Sequence, residues 1–474
     1  MSAAIPRLSG AGAGRKAAIS LLAMLALAGC AIRPDATRAG LTIPDRFRQA
    51  AAQGEARWPD PDWWRGFNAP ELDRLMAQAS AGAFDIAAAA ARVRQADAQT
   101  RIAGSALLPN LSGGLDAARR QNGGGNRRST AYDASLAASY EIDFWGLNRN
   151  NAEAARLAAQ GSRFDAVTVM LTTQASLANT YFDILTTREQ LRVQEENLEA
   201  ARRILSIIRS QVAAGIATGL DLAQQETLVA QQEAQLPALR QRIAQSINAL
   251  GVLLGRPPQE IDVLPGGLER IRVPEPAPGL PGELLARRPD VWSAEAQLAA
   301  ANADVAAARA ALLPSVTVSA QGGFSSAVLG TLLRPEAQFW SLATGLTQTI
   351  FDNGARQGRI ELTQAQAEEL VVEYRRAIVS ALSDVEDALV ALRETTEQER
   401  LQAAAAERAG RAASIAEAQL RAGTINLITL LNTQQSLFSA RNNLVQARLA
   451  RLQAAVGLFR ALGGGWQPGR PAPL

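Results

Sequence analysis

The segment Asp304–Phe324, DVAAARAALLPSVTVSAQGGF, changes its hydrophobic period at Pro314. Before the proline it is rich in alanine and contains no helix breaker, and after it small polar and apolar residues alternate. Because proline cannot continue a helix and pushes the preceding residue into extended geometry, the segment predicts a helix that runs directly into a strand. Residues 106–111 (ALLPNL) repeat the junction at 311–316 (ALLPSV). We therefore predict helix-to-strand joints at Pro109 and Pro314 and an internal duplication.

The rest of the chain follows one plan twice. Each half has a helical run, two predicted strands, a long proline-free helix, a break at an Ala-Gly pair and a final helix. At about 1.5 Å per residue each proline-free helix is on the order of 100 Å long, which is typical of coiled coils and bundles. The predicted strands are 111–118, Tyr132–Phe144, a strand from Ser315 and Phe339–Phe351, and the proline-free helices are 148–214 and about 355–421.

Apolar and polar residues alternate along Tyr132–Phe144, which has an aromatic residue at each end. This pattern fits a tilted strand that crosses a bilayer, although a soluble sheet with one buried face would alternate likewise. Four strands cannot close a barrel, and open sheet edges are not tolerated in lipid, so a membrane sheet would need several chains. Three chains with twelve strands form a lumen wide enough for solutes.

The N-terminal region has the features of a secretory signal peptide. Two basic residues precede an apolar run, residues 17–28, which is too short for a spanning helix. Residues 27–30 (LAGC) resemble a bacterial lipobox, and Cys30 is the single cysteine of the chain. The resemblance implies cleavage before Cys30 and a covalent lipid on its sulfur, which would anchor the protein in a membrane. An ordinary signal peptide followed by an incidental cysteine is the alternative.

Composition argues against an enzyme and against nucleic-acid binding. The chain contains no histidine, so it lacks the commonest general base and the commonest metal ligand. It also has no nucleophile motif or cofactor fingerprint, and we expect no cofactor apart from the lipid on Cys30. The formal charge of +3 comes from three basic residues ahead of Cys30. Beyond them acidic and basic residues balance, which gives no support for nucleic acid as a partner.

The order and spacing of these motifs resemble the TolC-like outer membrane efflux factors, in particular the NodT/OprM-type lipoprotein branch. The resemblance is carried by the lipobox, the two LLP joints, the stretch 286–291 (ARRPDV), the stretch 351–354 (FDNG) and the paired Ala-Gly breaks. It covers about 63–462. It implies a mainly α protein with a transmembrane β part: a long α-helical barrel that continues into a β-barrel completed by trimerisation, with four strands per chain, twelve per trimer, and two tandem repeats.

The resemblance also implies a function. The chain would be the outer membrane channel of a tripartite efflux system in a Gram-negative bacterium, a trimeric conduit through which small solutes pass passively along a gated tunnel. The implied partners are two further copies of the chain, a periplasmic adaptor (membrane fusion) protein, an inner-membrane transporter of the RND type and outer membrane lipid. The alternative is a lipid-anchored periplasmic coiled-coil adaptor or structural envelope protein without a pore.

The predicted domain organisation follows the duplication. It comprises a lipoprotein signal peptide (1–29), a lipidated linker (30–62), a first repeat (63–255), a Pro/Gly-rich connector or equatorial region (256–286), a second repeat (287–462) and a C-terminal tail (463–474).

The two Ala-Gly breaks resemble the helix–turn–helix tips at which family members meet the adaptor. The alternative is that each glycine only ends a helix. The predicted adaptor-contact residues are Gly215, Ile216, Ala217, Thr218, Gly423, Thr424 and Ile425.

Just after these turns, family members often have inward acidic rings linked by salt bridges. Asp221 matches the acidic position of the first half, whereas the second-half positions are neutral in this chain, and Leu420 and Ile425 stand where an aromatic and a basic partner would sit. We therefore expect a partial acidic gate in which Asp221 pairs with Arg421. The alternative places Asp221 on the surface, favoured by the helix dipole. The predicted gate residues are Asp221, Arg421, Asn426, Thr429 and Asn432.

Overall fold

The computed structural model describes residues 40–48, 57–121, 128–264, 266–274, 276 and 279–467. The predicted signal peptide, the lipobox and Cys30 lie outside the described residues, as does most of the predicted tail. The described chain forms two compact units, a sheet unit and a helical unit. The sheet unit comprises Gly40 and the described residues of 93–162 and 293–375, and the helical unit comprises the described residues of 41–92, 163–292 and 376–467.

The secondary structure confirms the predicted duplication, because the same order of elements occurs twice. The longest helices, α3 and α7, have 67 residues each. Among the helices of the described ranges, none is both long and apolar enough to cross a membrane. The first half contains α1 (Pro70–Gly82), α2 (Phe84–Ser105), β1 (Asn110–Gln121), β2 (Arg128–Glu141), α3 (Leu147–Ala213) and α4 (Gly219–Leu254). The second half contains α5 (Pro281–Leu285), α6 (Pro289–Ala310), β3 (Ser315–Ser326), β4 (Gln338–Thr347), α7 (Ala355–Arg421) and α8 (Leu427–Ala461).

The first predicted helix is two helices in the structure. Before it, Asn68 has φ 53° and ends a short 3-10 turn, Trp63–Phe67. Helix α1 starts at Pro70, and the missing N–H of a proline costs nothing at the first position of a helix. Ala83, with ψ 128°, is extended and separates α1 from α2.

Strand β2 ends at Glu141, before the aromatic residue Phe144 that the sequence placed in the strand. The reason is a helix cap. The Asp143 carboxylate accepts the backbone N–H groups of Asn148 (3.2 Å) and Arg149 (2.8 Å), which lie in the first turn of α3. The first N–H groups of a helix have no partner within it, so this contact ends the strand and starts the helix.

Strand β4 likewise ends at Thr347, earlier than the predicted Phe351. The Asp352 carboxylate accepts the N–H of Gly354 (3.1 Å) and of Arg356 (3.2 Å) at the start of α7. Both strands of this type therefore end in a turn whose aspartate caps the long helix that follows.

The sheet unit contains one four-stranded antiparallel sheet in the order β1-β2-β3-β4. Its register places Leu115 opposite Ala134, and Ala134 opposite Phe324, so apolar side chains of neighbouring strands share a face. This face is open in the single chain: Leu115 is 85% exposed and Trp340 is 80% exposed. Members of the apolar face are Leu111, Leu115, Ala134, Leu136, Val316, Val318, Phe324, Trp340, Leu342 and Leu346.

The opposite face of the sheet is polar. Asp116 lies opposite Asp133, which lies opposite Ser325, and Gln321 Nε2 donates to Ser135 Oγ at 3.2 Å. The alternation therefore holds at most paired positions, with Phe339 on the polar face and Arg119 on the apolar face as exceptions. The outer edges of β1 and β4 have no strand partner within the described chain.

Side chains from the β2–α3 connection, from the β4–α7 connection and from the start of α7 satisfy backbone carbonyls around Pro314, which lies between α6 and β3. Trp145 Nε1 donates to the Pro314 carbonyl at 2.7 Å, and Arg356 Nη1 donates to that of Ala311 at 2.7 Å. Gln348 Nε2 donates to the Leu312 carbonyl at 3.0 Å. These contacts supply partners that the last turn of a helix lacks. Pro109 occupies the corresponding place between α2 and β1.

In the helical unit, an aromatic cluster anchors the N-terminal turn to the helices. Trp63 stacks on Phe459 of α8 with ring centroids 5.2 Å apart, and Phe67 contacts Phe182 of α3 at 5.1 Å. Phe67 and Phe182 are fully buried. Burial of such large rings makes this cluster the main core of the unit.

Arg288 explains part of the ARRPDV stretch. Its guanidinium contacts Asp290 (2.5 Å) and Asp384 (2.9 Å) and donates to the Ala461 carbonyl (3.0 Å), so it joins α6, α7 and the end of α8. Burial disfavours the charged form, but the hydrogen bonds to the two carboxylates outweigh it and raise the pKa of Arg288. Arg288 is therefore a buried charged residue that links three helices within the helical unit.

We predict that Arg288→Leu lowers the free energy of unfolding by about 2–4 kcal/mol, because it leaves two neighbouring carboxylates and a carbonyl without their donor. Thermal unfolding in detergent, followed by circular dichroism, measures this. Arg287→Leu is the control. Arg287 lies 4.6 Å from the ring of Trp58, a contact worth below about 1 kcal/mol at a partly exposed site. Equal shifts for the two variants would contradict the assignment.

Candidate functional site at the two helical tips

The first helical tip is the turn between α3 and α4. Gly215 has φ +73°, and the Ile216 N–H donates to the Gln211 carbonyl at 2.9 Å, five residues back. This is the geometry with which a glycine in the left-handed region commonly closes a helix. A Cβ at Gly215 would meet nothing within 4 Å, so only the backbone angle requires glycine there.

The second tip, between α7 and α8, repeats that geometry. Gly423 has φ +71°, and the Thr424 N–H donates to the Gln419 carbonyl at 2.9 Å, again five residues back. The Thr424 hydroxyl donates to the same carbonyl at 3.1 Å. The two halves therefore build the same turn from different residues.

Thr218 and Asp221 form a capping box at the start of α4. The Asp221 carboxylate accepts the Thr218 N–H (2.8 Å) and hydroxyl (2.7 Å), while the Asp221 N–H donates to the Thr218 hydroxyl oxygen (3.2 Å). The backbone hydrogen bond, followed by that of the hydroxyl, lowers the pKa of Asp221. The aspartate is therefore charged at neutral pH, and its share of the cap is lost only as the pH falls through that lowered pKa.

Asn426 and Thr429 hold the corresponding positions at the start of α8. Asn426 Oδ1 accepts both the N–H (2.9 Å) and the hydroxyl (2.8 Å) of Thr429. This cap does the same structural work as the capping box of the first tip but carries no charge. Asn432, one turn further along, contributes its backbone carbonyl to the Ser436 hydroxyl at 2.8 Å.

The predicted pairing of Asp221 with Arg421 is wrong for the single chain. Arg421 instead contacts Glu417 at 2.5 Å, one turn earlier on α7. Residues four apart lie on the same helix face, so Glu417 reaches the guanidinium without any change in the turn. The Asp221 carboxylate is engaged by Thr218 instead.

An apolar cluster joins the two tips where the family resemblance suggested an aromatic and a basic residue. Leu420 and Leu430 are buried, and they pack with Ile204 and Ile208 of α3. Ile425 and Leu222 are half-buried against the same cluster. Leu420 and Ile425 therefore hold the tips together by burial of apolar surface.

Buried glutamines form a polar layer between α3 and α4 that the sequence analysis missed. Gln194 Nε2 donates to both the backbone and side-chain oxygens of Gln232, at 3.0 and 2.8 Å. Gln225 Nε2 donates to the Ala201 carbonyl at 2.8 Å. The repeated Gln-Gln pairs at 224–225 and 231–232 were the available signal, since their spacing of seven places them on one helix face.

The predicted adaptor-contact residues are largely accessible. Ile216 is 75% exposed, and Leu220 at the start of α4 is 65% exposed, so the first tip presents two large apolar side chains to solvent. Of the seven residues predicted, Ala217 and Ile425 are half-buried and the other five are exposed. No group of three or more residues able to hold a metal ion occurs in the ranges that the structure describes.

Comparison with known proteins identifies the family. The family model for the outer membrane efflux protein matches residues 75–256 and 280–464, one match in each half. The chain belongs to the outer membrane efflux protein family. It is 41% identical over 458 residues to the pyoverdine export outer membrane protein OpmQ of Pseudomonas putida, covering 94% of this chain and 97% of that protein. OpmQ of Pseudomonas aeruginosa is 40% identical over 460 residues, covering 94% and 96%.

Solved structures agree. The outer membrane channel OprN superposes with a TM-score of 0.86 at 26% identity, covering 92% of this chain and all of that one. The predicted fold class is confirmed, and the chain is an outer membrane efflux channel of a tripartite system. Nothing in these comparisons supports the alternative of an adaptor without a pore.

We predict that the double variant Thr218→Asn/Asp221→Thr raises single-channel conductance in planar bilayers by about twofold or less if Asp221 contributes to a gate. The variant gives the first tip the neutral cap of the second, so it removes the charge while keeping the helix start.

The reciprocal variant Asn426→Thr/Thr429→Asp adds a charged cap to the second tip and should lower the conductance of anions relative to cations. Unchanged conductance and ion selectivity in both variants would show that Asp221 only caps α4.

Proposed function

We propose that three copies of the chain assemble into one conduit that exports pyoverdine or a closely related small molecule across the outer membrane. The observation that carries the cargo assignment is the 41% identity to a pyoverdine export protein over nearly the whole of both chains. The protein would act by passive passage through its lumen and would catalyse no reaction.

The sheet supports the proposal of a trimer. Its four strands have one apolar and one polar face and two outer edges without a strand partner in the described chain. Joining β4 of one copy to β1 of the next would pair these edges, and three copies would give twelve strands around a lumen lined by the polar face.

The remaining partners, an adaptor protein and outer membrane lipid, would contact different parts of the chain. The exposed Ile216 and Leu220 of the first tip would contact a periplasmic adaptor protein, which in turn would bind an RND-type inner-membrane transporter. A covalent lipid on Cys30 would add a second attachment to the outer membrane, in addition to the apolar face of the sheet.

Expression of this chain in a Pseudomonas putida strain that lacks OpmQ tests the cargo assignment. We expect it to restore pyoverdine in the culture medium, measured by mass spectrometry against the intracellular amount. OpmQ itself is the positive control.

A variant with Gly215→Val and Gly423→Val is the matched negative control, because both tips need a positive φ that β-branched residues avoid. The cargo assignment would be contradicted if the unaltered chain reached normal amounts in the outer membrane and still restored no pyoverdine secretion.

A further inference from the structure

We propose that a cavity in the helical unit binds a protonated amine that carries an apolar group. The cavity has a volume of about 400 Å³, within the range of small-molecule sites. Its wall is built from the N-terminal turn, from α1 and α3, and from the turn that follows α8, with Trp64, Asp73, Met170, Gln174 and Trp466 among the lining residues. The site is independent of the proposed cargo.

Two polar atoms in this wall lack hydrogen-bond partners in the described chain. Gln174 is only 5% exposed, and its Oε1 is buried and accepts no hydrogen bond. Asp73 Oδ1 is in the same condition. Buried polar atoms are nearly always paired because an unpaired one has lost its hydration without a replacement, and the cost is larger for a charged group. A donor that enters the cavity from outside the chain would supply the partners that these two acceptors lack.

The charges of the wall favour a cation. Asp62 is compensated by Arg65, with the side-chain atoms 3.2 Å apart. Asp73 has no ion-pair partner among the described residues, so the lining contains an uncompensated carboxylate as well as the buried amide oxygen of Gln174. A protonated amine satisfies both conditions at once, since its N–H groups donate to both acceptors and its charge balances Asp73.

Aromatic rings give the cavity its apolar walls and fix their position. Trp64 is held edge-on by Trp63, with ring centroids 5.9 Å apart. Trp466 is held by Phe164 at 5.8 Å and by Trp292 at 6.2 Å. Indole rings accept apolar groups and also attract cations, so these walls suit the organic part of an amine.

The turn that carries Trp466 is shaped for this position. Gly464 and Gly465 both have positive φ, 55° and 78°. A Cβ at Gly464 would collide with the side chain of Leu171, and a Cβ at Gly465 would collide with the backbone of Asp60. The turn can pack against α3 and the N-terminal segment only because these residues are glycines. The wall is thus part of the fold and not a chance gap between side chains.

Other occupants fit this lining less well. An anion would lie against the Asp73 carboxylate, and a neutral hydrocarbon would leave both acceptors without donors. Water could satisfy the acceptors but would wet the rings of Trp64 and Trp466. Water alone is therefore the outcome that the experiment has to distinguish.

Isothermal titration calorimetry of the full-length protein in detergent with 1-naphthylmethylamine at neutral pH tests the proposal. We expect saturable binding that Asp73→Asn weakens about tenfold or more, because hydrogen bonds to a charged partner are the stronger ones. Binding of the neutral analogue 1-naphthylmethanol should change less than threefold in the same variant. Partition into micelles is common to all variants and cancels in the comparison.

Two further variants separate binding from folding. Asp62→Asn removes a carboxylate of the same wall that Arg65 already compensates, so amine affinity should stay within about threefold. Asp73→Asn/Gln174→Glu moves the charge to the neighbouring position and should recover most of the lost affinity. The proposal is overturned if the amine does not bind saturably, if Asp73→Asn affects amine and alcohol equally, or if the double variant recovers no affinity.

Discussion

Backbone groups at a sheet edge must find hydrogen-bond partners when the sheet lies in lipid, and this constraint organises the chain. The four strands bring their apolar side chains to one face and leave β1 and β4 at the outside. In hydrocarbon each unpaired N–H or carbonyl costs several kcal/mol, so such a sheet is stable there only as part of a closed barrel. The duplicated halves each supply two strands, and further copies of the chain must supply the rest.

The two halves of the duplication share the backbone geometry of their tips but differ in the residues that cap the following helices. Gly215 and Gly423 have nearly the same positive φ and the same five-residue hydrogen bond behind them. The caps that follow differ, because Asp221 is an anion where Thr429 is a neutral hydroxyl. The turn is required by the helix pair in both halves, whereas charge at these positions is free to change. Of the two capping positions, only Asp221 carries a charge, so a gate that depends on charge at these positions can use the first tip alone.

Hydrophobic periodicity predicted most of the fold. The features that it missed depend on individual hydrogen bonds and ion pairs between side chains. Proline and glycine can be read directly from the sequence, and their backbone preferences predicted the joints at Pro109 and Pro314 and both helical tips. The ends of β2 and β4 could not be predicted in this way. Asp143 and Asp352 end these strands by capping the helices that follow, and a single capping residue leaves no mark on the hydrophobic periodicity. The predicted Asp221–Arg421 pair does not form within the single chain, where Glu417 contacts Arg421 from one turn away. The amine cavity depends on residues far apart in sequence, so no motif reveals it.

Cysteine cross-linking across the two open edges tests the closure of the sheet most directly. Leu115→Cys in β1 is combined in turn with Trp340→Cys, Leu342→Cys or Thr344→Cys in β4, all on the same face of the sheet. Oxidation should yield a covalent trimer for at least one pair, reversible by reductant, whereas Ser341→Cys on the opposite face should not cross-link. Monomer alone with every pair, from protein extracted from outer membranes, would contradict a barrel completed by three chains.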